Sequence, residues 1–584
     1  MRIGPSLALS FALLAPSAAH AATVPPPLAR ALSWIPEDAV SFVAIPDLKR
    51  ASDDLGQLVE ASGQGGVLAM GRPLDLLKAQ LGVGASLDEK APLVAYFPPD
   101  PRPAAPAATP TAPVLVVATA DAEAFLSANF TADPAAGDDA HRTADGTLWH
   151  ARRLEGRVAL APRPEWLPAA DARGIGERLD ARLLDAEREW LERADLVAWG
   201  SRDALHAAAE AARAAPLPAA PDGVATPFAG GAEAQEAMRA RTLEFADMLA
   251  DGLVAVDADP LGLFVATLGV AEPGTPLASL LSGGEGRGAR FSHLPPAAFY
   301  LALAADLDGL GGAAKFTELL EAAGLSTLVP PGWSPAEFAE ISAIELAAYP
   351  SKLGVAVGGA LNDSALFLAS RDPARTLASV ERAVAAAAGE SAGLRREPSW
   401  TKGRTLKSGD VADAFEVKET IVDAAQRPSL DYERVAKQFV VGARGVAGLA
   451  RATGDGVVAT FSQRPDVFGR ALSAATGGGS LASDEVVASI EEWLPASRDV
   501  EAMVSVGRIV GLAKQIAGSF LSREQLATMF PPVDADAEPV AFALDLGGGR
   551  ARAVLVVPAR VLGIAAGVGG RAAAGLAPDA GGEP

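Results

Sequence analysis

Two stretches of the chain share one pattern: IPEDAVSFVAIPDL at residues 35–48 and LPPAAFYLALAADL at residues 294–307. Each begins with an aliphatic residue and a proline, continues through an apolar run and ends in Asp-Leu, with no insertion between these features. A short run rich in β-branched and aromatic residues predicts a β-strand. An aspartate directly after such a run is typical of a helix start. The pattern therefore predicts a strand–helix unit that occurs twice.

Four further pairs of segments recur in the same order along the chain. They lie at residues 117–121 and 368–372, 155–165 and 455–466, 189–191 and 492–494, and 253–255 and 539–541. The spacing between partners varies, as insertions in surface loops would produce. Recurrence in a fixed order indicates an internal repeat. We therefore expect an α+β fold of two tandem homologous domains, 28–290 and 291–570, each a mixed sheet packed with helices.

Periodicity predicts several individual elements. The runs at 93–97 and 114–117 are strand-like, and the Pro/Ala-rich segment 98–113 between them predicts a long hairpin loop. Apolar residues recur at helical spacing over 174–191 and 233–249, which predicts two amphipathic helices. Partial alternation of apolar and charged residues over 411–421 predicts a half-exposed strand.

The N-terminus has the three parts of a secretory signal peptide in order. Arg2 supplies the positive charge, an apolar run follows, and Ala19-His20-Ala21 gives a small-x-small cleavage motif. We therefore expect a signal peptide at 1–21, a linker at 22–27 that ends in three prolines, and a disordered tail at 571–584. The mature chain is expected in the periplasm or outside the cell.

Composition excludes several classes of function. The formal net charge of −22 repels phosphate backbones, so nucleic-acid binding is not expected. The chain contains no cysteine, so neither a disulfide nor a thiolate nucleophile is available. Abundant Ala, Gly, Arg and Pro suggest a GC-rich bacterial genome. No segment after the signal is long and apolar enough to predict a membrane span, so the mature protein is expected to be soluble.

Four aspartates follow predicted strands, at Asp47, Asp121, Asp306 and Asp372. They could be read as paired catalytic carboxylates. Each also begins a predicted helix, where a side-chain oxygen accepts hydrogen bonds from free backbone N–H groups. We therefore expect these aspartates to cap helices, and the sequence predicts no catalytic residue.

Other short motifs are incomplete. Ser399 and Lys402 have the Ser-x-x-Lys spacing of serine acyl-enzymes, without the accompanying motifs. His141, His150, His206 and His293 have no zinc-binding spacing. The acidic run from Asp534 to Glu538 starts like a calcium loop, but Pro539 stands where that loop requires glycine. We therefore expect no metal and no cofactor.

The opening Ile-Pro-Glu-Asp-Ala (35–39), the strand after it and Asp47-Leu48 resemble a family of bacterial exported proteins of unknown function. Members of that family begin the mature domain with Leu-Pro-x-Asp-Ala, a strand and Asp-Leu. Residues 273–278 also resemble it, whereas the second copy, from Leu294, lacks the aspartate. The resemblance implies export and an α+β repeat, and it implies no catalytic residue.

These observations favour an exported, soluble cell-envelope protein that acts as a non-enzymatic binding or interaction module. Its partner would be an envelope protein, a lipid or a small ligand. One alternative is a metal-independent hydrolase with a carboxylate or serine site that the sequence does not reveal. Another is a structural component of the envelope.

Overall fold

The computed structural model describes residues 24–81, 86–99, 113–214, 232–283, 288, 290–322, 336, 339–391, 393–423, 438–442, 445–530 and 533–564. The chain forms two compact units. Unit 1 contains residues up to 52, 74–199 and 255–257, and unit 2 contains residues 53–73, 200–254 and 258 onwards. Helices and antiparallel strands occur in both units, so the fold is mixed α+β.

The first half of the chain contains nine described helices and ten strands, here in chain order. They are α1 (Pro26–Leu32), β1 (Ser41–Ile45), α2 (Leu48–Ala61), α3 (Pro73–Leu81), β2 (Leu93–Phe97), β3 (Val114–Ala118), α4 (Ala122–Asn129), β4 (Thr131–Ala132), β5 (Ala140–Arg142), β6 (Leu148–Leu154), β7 (Arg157–Ala161), α5 (Gly176–Asp180), α6 (Asp185–Arg193), β8 (Leu196–Ser201), α7 (Arg202–Ala214), α8 (Ala232–Asp247), β9 (Leu249–Asp259), β10 (Gly262–Ala271) and α9 (Pro276–Leu280). Short 3₁₀ turns occur at Gly65–Met70 and Pro164–Trp166.

The second half continues with strands and helices in a related order. They are β11 (Leu301–Asp306), α10 (Ala313–Ala322), β12 (Ile341–Ala348), α11 (Val355–Gly358), β13 (Ala365–Ser370), α12 (Pro373–Ala386), β14 (Gly389–Ser391), β15 (Leu394–Thr405), β16 (Val411–Ile421), β17 (Val446–Ala452), β18 (Gly456–Thr460), α13 (Pro465–Ala475), α14 (Glu485–Glu491), β19 (Val500–Val504), α15 (Val506–Ala517), α16 (Arg523–Met529), β20 (Val540–Gly547) and β21 (Arg550–Pro558). A 3₁₀ turn occupies Leu481–Ser483.

In unit 1 the strands pair in the order β4-β5-β6-β7-β3-β2-β1, and β1 also pairs with β8. The pairings with a recorded register, from β4 to β1, are antiparallel. Helix α4 packs Phe125 and Leu126 into a core with Leu115, Val117 and Leu160 from neighbouring strands. Burial of these apolar side chains is the main stabilising term of the unit.

In unit 2 the strand order is β10-β21-β20-β19-β11-β12-β13-β18-β17-β16-β15-β14, and every pair is antiparallel. Because successive side chains of a strand point to opposite faces, one face collects Ala305, Leu368 and Leu546 in a core. Side chains of α10 and α12 pack against that core. The other face of the central strands carries Ala304, Glu345 and Glu501 in register, together with Phe367.

The structure confirms most of the strands predicted from the sequence. The runs at 93–97 and 114–117 form β2 and β3, which pair as a hairpin, and 411–421 is β16. The helix predicted at 233–249 is α8. Of the loop predicted at 98–113, residues 100–112 lie outside the described part of the chain.

The single helix predicted over 174–191 is wrong, because the segment forms α5 and α6 with a turn between them. Its first residues are held in a backbone bridge, in which Ile175 N–H donates to Ile35 O at 2.8 Å. The second helix starts anew where the Glu187 carboxylate accepts the Leu184 N–H at 2.9 Å. Apolar periodicity survives this break, so periodicity alone did not detect it.

The segments expected at the chain ends are only partly described. The expected signal peptide, 1–21, and tail, 571–584, lie outside the described residues. The expected linker, 22–27, overlaps α1, which begins at Pro26. Proline is favoured at the first helical position because an N–H group there would have no partner within the helix, so its absence costs no hydrogen bond. Among the described helices, none is long and apolar enough to cross a membrane.

Candidate functional site

A pocket of about 260 Å³ opens in unit 2 beside β11 and β12. Ala304, Ala305 and Asp306 of β11 line it, together with Ala343, Ile344 and Glu345 of β12. The segment before β11 adds Arg290, Ser292 and His293, and Asp308 and Ser342 also line the pocket. A cavity of this size suits a small polar molecule, since pockets for drug-sized ligands begin at about 300 Å³.

His293 and Glu345 form a preorganised pair at this pocket. The Glu345 carboxylate accepts the His293 backbone N–H at 2.8 Å and contacts His293 Nδ1 at 2.6 Å. The imidazole stacks on Phe367, with ring centroids 4.0 Å apart. A carboxylate on Nδ1 fixes the tautomer and orientation of the ring. Nε2 has no hydrogen-bond partner among the described residues and is the nitrogen left for a ligand.

Three further polar groups at the pocket have no hydrogen-bond partner in the described structure, although the charge of Arg290 acts to lower the pKa of Glu501. The Arg290 guanidinium and the Ser292 and Ser342 hydroxyls form no hydrogen bond or ion pair with another described residue. Asp308, in contrast, is bound by Arg371 at 2.5 Å. The pocket therefore offers one guanidinium group and two hydroxyl groups to a ligand.

Buried charges continue from the pocket into the sheet. In the strand register, Ala304 lies directly opposite Glu345 on one side and Glu501 of β19 on the other. Glu501 is fully buried and its Oε2 accepts from Arg498 Nε at 2.7 Å, while its Oε1 has no hydrogen-bond partner. Burial raises the pKa of Glu501, and the nearby Arg498 opposes that change.

A second buried carboxylate, Asp499, lies just before β19. Its Oδ2 accepts the Leu546 N–H at 2.7 Å, and its Oδ1 has no hydrogen-bond partner. Burial raises the pKa of Asp499 to about 7, and the negative charges of Asp545 and Asp306 act in the same direction. Asp545 is paired across the strands with Arg552 at 2.6 Å. Neither Asp499 nor Glu501 lines the pocket, so neither carboxylate would contact a molecule bound there.

Three of the four aspartates expected to cap helices do so. Asp121 accepts from the N–H groups of Glu123 and Ala124 at the start of α4. Asp372 accepts from the Arg375 N–H at the start of α12, and Asp47 from the Arg50 N–H at the start of α2. Each uses a short oxygen acceptor where backbone donors lack helical partners.

The helix-capping prediction for Asp306 is wrong. Asp306 is the last residue of β11 and is buried beside the pocket. Its carboxylate accepts the Gly309 N–H at 3.1 Å in a turn, and the next helix begins only at Ala313. The Asp-Leu pairs at 47–48 and 306–307 therefore do not occupy equivalent helix starts.

The structure does not assemble the incomplete motifs into a site. Lys402 Nζ binds Glu381 at 2.8 Å, whereas Ser399 lies three residues earlier on β15, with its hydroxyl 3.5 Å from Glu416 O. Arg560 and Arg508 bind Asp534 and Asp536, so these carboxylates are neutralised by arginines. No group of three metal-ligating side chains occurs within the described ranges.

No sequence motif indicates the His293–Glu345 pair at the pocket. His293 and Glu345 are 52 residues apart, and no short motif joins them. His293 directly precedes Leu294-Pro295, the start of the predicted second repeat. Among the other described histidines, His141 is buried, and burial lowers its pKa.

Comparison with known proteins adds no relative: no protein-family model, curated protein or solved structure matches the chain.

Proposed function

We propose that this chain is an exported binding module whose unit 2 pocket holds a small polar ligand. One observation carries the proposal: Arg290, Ser292 and His293 line a pocket of about 260 Å³, and the Arg290 guanidinium, the Ser292 hydroxyl and His293 Nε2 have no hydrogen-bond partner among the described residues. Polar groups kept unpaired at a concave site lose little when a ligand with matching groups binds. The proposal that the chain is exported rests on the signal-peptide pattern of residues 1–21.

The free groups favour a ligand with a carboxylate or a phosphate. A guanidinium binds such groups through two parallel N–H donors, and serine hydroxyls can donate beside it. Of the three carboxylates that line the pocket, Asp308 is bound by Arg371, Glu345 by His293, and Asp306 accepts the Gly309 N–H. His293 Nε2 adds a ring nitrogen that a ligand group can contact, because Glu345 holds the other ring nitrogen.

We also propose that the two halves of the chain are homologous. The pairing β7-β3-β2-β1 in the first half has the counterpart β18-β13-β12-β11 in the second. β1 pairs with β8 as β11 does with β19. The caps Asp121 and Asp372 follow Thr119 and Ser370, whose hydroxyls accept the N–H groups of the two aspartates. Shared strand order with shared local contacts is what duplication would leave.

Binding can be tested by isothermal titration of the mature chain with citrate, L-glutamate and inorganic phosphate. We expect at least one of these anions to bind, and Arg290→Ala to weaken that binding by about tenfold, since a charge-assisted hydrogen bond contributes about 1.5–3 kcal/mol. Arg395→Ala, a change at an exposed arginine of β15, is the matched control and should bind as the parent does. Equal binding by both variants, or no binding of any anion, would contradict the proposal.

A hydrolase is the second candidate, and the His293–Glu345 pair favours it. A histidine oriented by a buried carboxylate is the arrangement of a general base. No serine hydroxyl is hydrogen-bonded to His293 among the described residues, so a water would have to be the nucleophile. Hydrolysis of p-nitrophenyl acetate that is lost in His293→Gln would support this candidate; a rate unchanged by that substitution would exclude it at this pocket.

A further inference from the structure

Unit 2 exposes a continuous apolar surface at α11 and α15, which contact each other. Leu353, Val357, Leu361, Ile509 and Phe520 form it, and we refer to it as the α11–α15 surface. Phe520 is 70% exposed and Val357 is 57% exposed. Phe439 packs edge-on against Phe520 at 6.0 Å, and its neighbour Val440 accepts the Leu361 N–H. Contiguous exposure of large apolar side chains marks an interaction surface.

Helix α15 is amphipathic, yet its apolar side is only partly covered. Ile509, Leu512 and Ile516 lie on one side of the helix by their spacing, with Arg508 and Gln515 on another. The only buried residue of α15 is Gly507, which approaches the backbone of Asp534. The apolar side of a helix normally packs into the core of its domain. The apolar side of α15 is only partly packed and is therefore available to bind a partner.

The aspartates beside α15, Asp534 and Asp536, are bound by Arg560 and Arg508, and the two segments that carry the surface contain no carboxylate. Asp and Glu make up 72 of the 584 residues, yet none occurs in 350–362 or in 502–523. These two segments contain the whole of the α11–α15 surface. Lys352, Lys514 and Arg523 lie in them and form no ion pair with another described residue. Within this acidic chain, the segments that carry the apolar surface therefore also carry three basic side chains without ion pairs among the described residues.

We propose that the α11–α15 surface docks onto a lipid bilayer that contains anionic phospholipids. Apolar side chains on one side of a short helix, with lysine and arginine beside them, fit the boundary between acyl chains and anionic headgroups. Repulsion between the acidic remainder of the chain and the anionic headgroups is weak, because charges separated by more than about 8 Å are largely screened at physiological ionic strength. A 12-residue helix is about 18 Å long, so α15 would lie on the membrane. This inference goes beyond the proposed ligand pocket and does not depend on it.

Flotation with lipid vesicles tests the proposal. The mature full chain is mixed with vesicles of phosphatidylcholine alone or of equimolar phosphatidylcholine and phosphatidylglycerol. We expect flotation with the anionic vesicles and its reduction by salt. Phe520→Ser should weaken partition by about tenfold or more, from the loss of one large apolar side chain. Leu261→Ser is the matched control, because Leu261 is 69% exposed in the turn between β9 and β10.

The charge is tested separately. Lys514→Glu should weaken binding to the anionic vesicles, whereas Lys418→Glu, the same change at an exposed position on β16, should not. Melting temperatures of all variants verify folding. Absence of flotation with both lipid mixtures would overturn the proposal, as would equal flotation of Phe520→Ser and Leu261→Ser. A dimer in sedimentation velocity that disappears in Phe520→Ser would overturn it in favour of a second copy.

Discussion

At the residue scale, two aspartates that are each followed by leucine after an apolar run have different roles. Asp47 follows β1 by two positions and caps α2. Asp306 still belongs to β11, where Ala302, Ala304 and Asp306 alternate onto the buried side. Asp47 lies beyond the end of its strand, where it reaches the start of a helix, whereas Asp306 remains inside its strand. The same Asp-Leu pair therefore gives a helix cap in one place and a buried carboxylate in the other.

The helix caps give a prediction at this scale. Asp121→Ala and Asp372→Ala should each lower the free energy of unfolding by about 1 kcal/mol, because the first N–H groups of α4 and α12 lose their acceptor. Asp121→Ser and Asp372→Ser should cost clearly less, since serine caps nearly as well. Urea unfolding measures all four. Equal losses for alanine and serine would show that the carboxylate charge, and not capping, is what matters.

At the element scale, sequence patterns predicted strands better than helices or the site. The strands 93–97 and 411–421 are short runs bounded by clear breaks, and local pattern is enough to define them. The division of 174–191 into α5 and α6 depends on a backbone bridge to Ile35, which is distant in sequence. The pocket depends on strand register, which brings Glu345 next to Ala304 and His293. Tertiary pairing of this kind has no local signal.

Close packing of strands gives a second prediction, at Gly448 of β17. A Cβ there would lie 1.9 Å from Thr460 O and 2.4 Å from the ring of Phe415. We expect Gly448→Ala to destabilise the fold by about 3 kcal/mol, the upper range for overpacking. Gly454→Ala is the matched control in the turn after β17, where nothing lies within 4 Å. Thermal unfolding of both variants checks this; similar melting temperatures would mean that β17 and β18 separate easily.

At the scale of the whole molecule, unit 2 keeps ionisable groups inside its sheet. Glu501 of β19, Asp545 of β20 and Asp499, just before β19, are all buried, and two arginines, Arg498 and Arg552, accompany them. Removing a carboxylate from water costs free energy unless it is neutralised. The oxygens Asp499 Oδ1 and Glu501 Oε1 lack hydrogen-bond partners. Protonation of these carboxylates would reduce the free-energy cost of their burial, because it removes the charge.

The last prediction is a pH dependence of stability that arises from Asp499. Its folded pKa is raised to about 7 by burial, whereas an unfolded aspartate titrates near about 3.9. Between these values the folded state holds more protons, so the contribution of Asp499 to stability is most favourable below about pH 4 and is lost as pH rises to about 7. Asp499→Asn keeps an oxygen for the Leu546 N–H and removes the charge.

The variant and the parent should therefore have similar stability near pH 4, and Asp499→Asn should become the more stable one as pH rises. The difference should level off above about pH 7, at no more than about 4 kcal/mol for a shift of this size. Glu416→Gln, at an exposed position on β16, is the control and should follow the parent throughout. Urea unfolding at pH 4, 5.5, 7 and 8 gives the comparison. A variant that is less stable than the parent at pH 8 would mean that the Asp499 charge is stabilised by its surroundings, and that burial does not dominate its titration.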